Sequence, residues 1–324
     1  STECEHALAT NTLIKKKPKL MKIMVDGILP LGVTSKDIIL HLISQHGADG
    51  AKDHAIEFMG SVVENLEIES RLTLCNMAVE FGATTGIIAP DNKTISYLEG
   101  KAFSPEEDDF NKAKHYWSEL KTDQDAIFDK TITIDCSNIT PYVTWGTNPQ
   151  QAIPISHSIP FVDQIKNENE KESMIRALEY MGLEQGQSIN NQKIDAAFIG
   201  SCTNSRISDL RSAAKILKDK KVADNIRAIC VPGSSQVKKQ AEEEGLDRIF
   251  KSAGFEWRES GCSMCFFAGG ESFGENQRVI STTNRNFENR QGKSTRTHLA
   301  SPMTVAASAI AGKISDAKSI GIEQ

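Results

Sequence analysis

Residues 194–205 read Ile194-Asp-Ala-Ala-Phe-Ile-Gly-Ser-Cys-Thr-Asn-Ser205, a short apolar run that breaks at glycine and continues in small polar residues. Followed by an amphipathic stretch from about Ser208 to Lys218, it predicts a strand feeding a helix. The same unit recurs as Ile226–Val231 followed by Ser235–Glu244, and a last helix is expected from about Pro302 to Lys313. Strands alternating with helices predict βαβ units and a mostly parallel sheet. Cys202 then falls at the carboxyl end of a strand, where open α/β sheets place their ligand sites.

Toward the N-terminus the alternation repeats. Lys22–Gly27, Ala55–Gly60 and Thr85–Pro90 read as strands, and Ser35–Ile43, with Ser35 as cap, and Glu69–Phe81, stopping at Gly82, read as helices. Residues 104–130 are charged and poor in aliphatics, a solvated connection with a short helix near His115. The Pro-rich, polar stretch 148–160 marks a boundary. Three segments are expected: 1–17, a helix remnant and linker with the basic run Lys15-Lys-Lys-Pro-Lys; 18–147, one α/β domain; and 148–324, a second.

At 324 residues the chain is long enough for two or three domains at about 100–200 residues each. It has no run of eighteen apolar residues, which excludes a membrane-spanning helix. With a net charge of −6 it offers no general basic surface for a phosphate backbone, so nucleic acid is not the expected partner. Seven cysteines, an odd count without an export signal, point to a reducing, cytoplasmic compartment rather than a disulfide scaffold. The first residue is Ser1, and neither an initiator methionine nor a signal peptide is present, so a fragment of a longer chain is expected.

Four groups of residues could carry chemistry. Cys262-Ser-Met-Cys265 alone fits a redox pair, half a zinc site, iron–sulfur ligands or coincidence. With Cys202 at a strand end and no histidine at ligand spacing, three thiolates suit an iron–sulfur cluster with one iron free of protein ligands; Cys230, in an apolar setting, reads as core. Asn76 and Glu80, four apart on an otherwise apolar helix, share a face that either meets solvent or lines a cleft. Arg285 and Arg290, in the Asn- and Gly-rich run 283–292, could clamp carboxylates through their planar forks, or be exposed. Gly292-Lys-Ser is no P-loop, because Phe287 stands where its first glycine belongs, and His298 reads as structural.

Together, Ile199-Gly-Ser-Cys-Thr-Asn-Ser-Arg206, Gly261-Cys-Ser-Met-Cys265, Ser281-Thr-Thr-Asn-Arg-Asn-Phe-Glu-Asn-Arg-Gln-Gly292 and Thr297-His-Leu-Ala-Ser-Pro302 resemble the aconitase superfamily. Within it they are most similar to the large subunits of the iron–sulfur enzymes acting on isopropylmalate. Arg71–Ala83, Val143–Pro149 and Glu5–Thr10 support the match, which runs nearly end to end. The resemblance implies an aconitase-like fold of successive α/β/α domains with the N-terminal domain largely missing. It implies a [4Fe–4S] cluster on Cys202, Cys262 and Cys265, with Asn76 and Asn284 supporting the cluster side. Glu80 would contact the iron-bound water, and Arg285 and Arg290 would grip substrate carboxylate.

The expected activity is a hydro-lyase step of leucine biosynthesis, interconverting 2-isopropylmalate and 3-isopropylmalate through a dehydrated intermediate. A small subunit is expected to bring a swivelling domain with the proton-abstracting serine and a further arginine. The alternatives are a homoaconitase or citramalate-type isomerase, or a cluster-free RNA-binding relative. Nothing in the chain matches the family's Asp-Ser-His stretch, so these residues alone are expected to be inactive. The segment Phe266–Glu275 departs from the family's Leu-Ala-Met-Asn-rich form, which bears on the substrate pocket.

Overall fold

The computed structural model of the chain describes residues 2–266 and 271–321. After α1 (Thr2–Thr10), the first sheet comprises β1 (Lys19–Asp26), β2 (His54–Met59), β3 (Thr85–Ile87) and β4 (Lys130–Asp135), all parallel in the order β3-β2-β1-β4. Its connections carry α2 (Ser35–His46), α3 (Ser61–Asn65), α4 (Ile68–Met77), α5 (Asn92–Leu98) and α6 (Glu107–Ser118). On β1 every second residue is buried (Met21, Ile23 and Val25), the alternation of a strand with one face on a core. That core is closed by Ile38, Ile39, Leu42 and Ile43 of α2 and by Leu74, Met77 and Phe81.

An antiparallel ribbon of β5 (Tyr142–Thr144) and β6 (Ala152–Pro154) follows, then α7 (Glu168–Met181). The second sheet is built from β7 (Ala196–Ile199), β8 (Arg227–Cys230), β9 (Phe255–Trp257), β10 (Arg278–Ser281) and β11 (Arg296–Leu299), all parallel in the order β11-β10-β7-β8-β9. Around it lie α8 (Ile207–Leu217), α9 (Ser235–Glu243), α10 (Leu246–Ala253) and α11 (Pro302–Ala311). Every residue of β7 is buried, as a parallel strand covered on both faces requires. Ala197 and Ile199 face the larger core, whereas Ala196 and Phe198 face a smaller cluster completed by Met264, Cys265 and Phe273. Residues 142–159 feed both cores, with Tyr142 and Ala152 in the first and Val143, Trp145, Ile155 and Ile159 in the second.

The parallel α/β class read from the sequence is what the chain adopts. Three details differ. The cap of α2 is Thr34, not Ser35: the Thr34 side chain accepts from Lys36 N–H while the Asp37 carboxylate accepts from Thr34 N–H, a reciprocal box that Ser35 could not make. The helix expected over Glu69–Phe81 ends at Met77, because Gly82 takes a positive φ of 90° and the chain turns before it. The helix expected near His115 is present and solvent-facing, with none of its residues buried, but it is longer than expected, the twelve-residue α6.

His298 on β11 is wholly buried, accepting at Nε2 from the Arg278 guanidinium (2.9 Å) and donating from Nδ1 to the Thr144 carbonyl (2.6 Å). This requires the neutral ring, and burial beside Arg278 pushes its pKa down to about 3. An unfolded histidine protonates near 6.5. Stability is therefore intact above that pH and falls as the pH drops below it, by about 2 kcal/mol at pH 5. Urea unfolding at pH 7.5 and pH 5.0 is expected to show this loss, and His298→Gln, weaker at pH 7.5, is expected to lose less between the two.

Candidate functional site

Three chain segments meet at the carboxyl edge of the second sheet. The first leaves β7 at Gly200. Its N–H donates to the Thr282 hydroxyl oxygen (2.9 Å), and that hydroxyl donates back to the Gly200 carbonyl (2.8 Å), which fixes the turn to the end of β10. Ser201 is then held at φ 79°, a left-handed conformation uncommon for a residue with a side chain. Cys202, next in line, is exposed and lines a cleft of about 710 Å³ with Arg206, Lys101 and Lys239. The turn is also tied to α4, since the Thr73 hydroxyl donates to the Thr203 carbonyl and accepts from the Asn204 amide, each at 3.2 Å.

The second segment is the short turn Cys262–Cys265, closed by a bond from Cys265 N–H to the Cys262 carbonyl (2.8 Å) and strained at Ser263, with φ 41°. Cys262 is exposed and Cys265 buried. The buried Gln291 amide donates to the Met264 carbonyl at 2.5 Å, and its oxygen accepts from the Thr297 hydroxyl at 2.9 Å. Burial pushes the Cys265 thiol up, the Arg290 guanidinium draws it down, and Cys202 and Cys262 are near enough to push it further up. Of the three thiols named from the sequence, Cys262 and Cys265 share one short turn, while Cys202 stands on the turn that leaves β7. Cys230, by contrast, is fully buried at the end of β8 with its thiol pushed well up, an inert core cysteine.

The third segment, 283–291, faces the turn after α4. There Glu80 is buried, its Oε1 accepting from the Asn284 amide (2.8 Å) and from Arg285 Nε (2.9 Å). Glu80 Oε2 is buried with no partner among the described residues. α4 ends at Met77, so Asn76 stands on the helix and Glu80 in the turn that follows it. Asn76 is half-buried. Arg285 is half-exposed, with only Nε engaged among the described residues. Arg290 donates from Nε to the Cys265 carbonyl (3.0 Å), its Nη2 lies 3.7 Å from the Cys265 sulfur, and its guanidinium stacks between Phe266 and Phe287. Of the segment Phe266–Glu275 singled out above, residues 267–270 lie outside the described residues.

This donor set suits a polynuclear iron–sulfur group. The thiols are free, and of the buried side-chain polar atoms lacking a partner among the described residues, Glu80 Oε2, Thr203 Oγ1, Asn204 Oδ1 and Arg206 Nε lie on Glu80 or follow Cys202 directly. Among the described residues no three His, Cys, Asp or Glu side chains stand together closely enough to hold a single metal ion.

Sequence reasoning missed Gln291 and Lys36. Gln291 stands in a quoted motif but carries no signal of burial, and Lys36 reads as an ordinary solvated lysine. Replacing Gln291 by leucine leaves the Met264 carbonyl unsatisfied, at a cost of about 1–3 kcal/mol. Lower stability and faster amide exchange confined to 262–266 are expected by hydrogen-exchange mass spectrometry, and unchanged exchange there would separate Gln291 from the cysteine turn.

The aconitase family (aconitate hydratase) matches residues 1–312. A protein from Psychrobacter arcticus described as "3-isopropylmalate dehydratase large subunit" is 50% identical over 319 residues, 98% of this chain and 68% of that protein. With the three thiols, the Glu80 contacts and the 283–291 segment in place along the matched length, the chain belongs to the aconitase family.

Proposed function

We propose that this chain is the large, catalytic subunit of an iron–sulfur hydro-lyase that interconverts 2-isopropylmalate and 3-isopropylmalate by dehydration and rehydration, a leucine-biosynthesis step. The observation that carries this reading is the Glu80 carboxylate, with Oε1 engaged by Asn284 and Arg285 and Oε2 buried without a partner among the described residues, at a site with three free thiols. The relative's description as a dehydratase supports the reaction class. The two hydrophobic cores support a division into α/β units near residue 147, and the free thiols support a reducing, cytoplasmic setting.

Cys202, Cys262 and Cys265 would hold a [4Fe–4S] cluster. When bound, the cluster supplies an iron without a protein ligand, a Lewis acid for the departing hydroxyl. Because Oε1 already accepts two hydrogen bonds, the proton that leaves with hydroxide as water is held on Glu80 Oε2 and returns there on rehydration. The terminal nitrogens of Arg285 meet one substrate carboxylate, and Arg290 presents the remainder of its fork to another. Asn76 and Asn284 line the cluster side. Removal of the carbon-bound proton falls to a serine of the small subunit, whose swivelling domain also brings a further arginine; the words "large subunit" in the relative's description support such a partner.

Anaerobic reconstitution with iron and sulfide should give a brown protein with broad absorption in the visible blue, and a colourless zinc protein would overturn the reading. Cys202→Ser, Cys262→Ser and Cys265→Ser should each lose iron, whereas Cys230→Ser should retain it. In the assembled enzyme, Arg290→Lys keeps the charge but loses the fork, at about 1.5–3 kcal/mol. That corresponds to about 10- to 100-fold in kcat/KM. A panel of isopropylmalate, homocitrate and citramalate separates this substrate from those of the homoaconitase and citramalate-type enzymes.

A further inference from the structure

Lys36 is the only lysine buried among the described residues, with no exposed surface, and it stands in the first turn of α2. Both circumstances disfavour an ammonium: burial strips its water, and the first turn of a helix presents the positive end of the dipole. A solvated position would cost nothing. Instead the ammonium donates to the carbonyls of Thr282 (3.0 Å) and Thr283 (2.7 Å), 246 and 247 residues further along the chain. These two carbonyls immediately precede Asn284 and Arg285, whose side chains hold Glu80 Oε1.

We propose that Lys36 is a positioning residue of the dehydration site: by binding the Thr282 and Thr283 carbonyls, its ammonium sets the backbone from which Asn284 and Arg285 reach Glu80 and substrate. The inference rests on the function proposed above. Burial draws the Lys36 pKa down to about 8, while the carboxylates of Glu80, Asp209 and Asp37 oppose the shift, so the cation persists at neutral pH. A lysine needed only to join the two α/β units could be replaced by an apolar chain of similar length at a cost in stability alone. A lysine that sets the direction of Asn284 and Arg285 has a second consequence, because small displacements at a reacting centre are costly in rate.

The test is Lys36→Met, with Lys36→Gln as a second variant retaining a shorter N–H donor, each studied in the assembled enzyme. Iron content and visible spectrum after reconstitution are expected to match wild type, while kcat falls about tenfold or more with a smaller change in KM. On an Arg285→Ala background, Lys36→Met is expected to add less than about twofold, because the residue it positions is already gone. Without any turnover, amide exchange across 282–290 is expected to rise in Lys36→Met, more than in the rest of the second sheet. The proposal is overturned if exchange there is unchanged, if kcat of the folded, iron-loaded variant stays within about twofold of wild type while thermal stability falls, or if the two substitutions multiply independently. Failure of both variants to fold overturns it as well, since Lys36 would then be a folding residue. Failure of wild type to take up iron or turn over defeats the functional reading instead, and the exchange measurement still decides the geometry.

Discussion

The Thr282 hydroxyl accepts the Gly200 N–H and gives its own proton to the Gly200 carbonyl, joining the end of β10 to the end of β7 through one side chain. Much of the site depends on that exchange. It holds the turn carrying Cys202 against the segment carrying Asn284, Arg285 and Arg290, and the same segment reaches the cysteine turn through Gln291 and Arg290. In a parallel sheet all these loops emerge at one edge, so short polar links between neighbouring strand ends suffice to assemble groups far apart in sequence. The contact is buried, so losing either partner would leave a main-chain group unsatisfied.

Much of this was legible in the sequence because apolar periodicity reports strands and helices that face a core. β7, β8 and α8 fall within a residue or two of their expected positions. β10 and β11 escaped, since Arg278–Ser281 and Arg296–Leu299 mix arginine, serine, threonine and histidine with only a few aliphatics. Their polar side chains are buried because they pair with one another, as Arg278 does with His298, and pairing across twenty residues leaves no trace in a local pattern. The same limit hid Lys36. Its burial follows from Thr282 and Thr283, more than two hundred residues away, while its local setting is that of any capped helix.

Two of the nine non-glycine residues at positive φ among the described residues adjoin the cysteines of the site. Ser201 precedes Cys202 and Ser263 follows Cys262, both at positive φ, where a residue with a side chain costs on the order of 1–3 kcal/mol. Such conformations persist only where their surroundings over-determine them. Around Ser201 these are the Gly200 exchange with Thr282 and the Thr73 bonds to Thr203 and Asn204. Around Ser263 they are the closing bond of the turn and the Gln291 bond to Met264. Both turns are thus set by groups other than the thiols they present, which spares a ligand from organising its own site.

Arg290 illustrates how the site divides its polar groups. A free arginine on an exposed loop would spend rotamer entropy on reaching a carboxylate. Here the guanidinium is already flanked by Phe266 and Phe287 and bonded to the Cys265 carbonyl, so part of that entropy is lost on folding rather than on binding. Glu80 follows the same pattern, with one oxygen fixed and one left over. The anchored atoms set direction, and the unengaged atoms beside them, Glu80 Oε2 and the terminal nitrogens of Arg285, remain for a ligand. A structural network would satisfy every buried member, because an unpaired buried polar atom is costly. Leaving the second oxygen of Glu80 open while securing the first is the pattern of a site built to receive a polar partner.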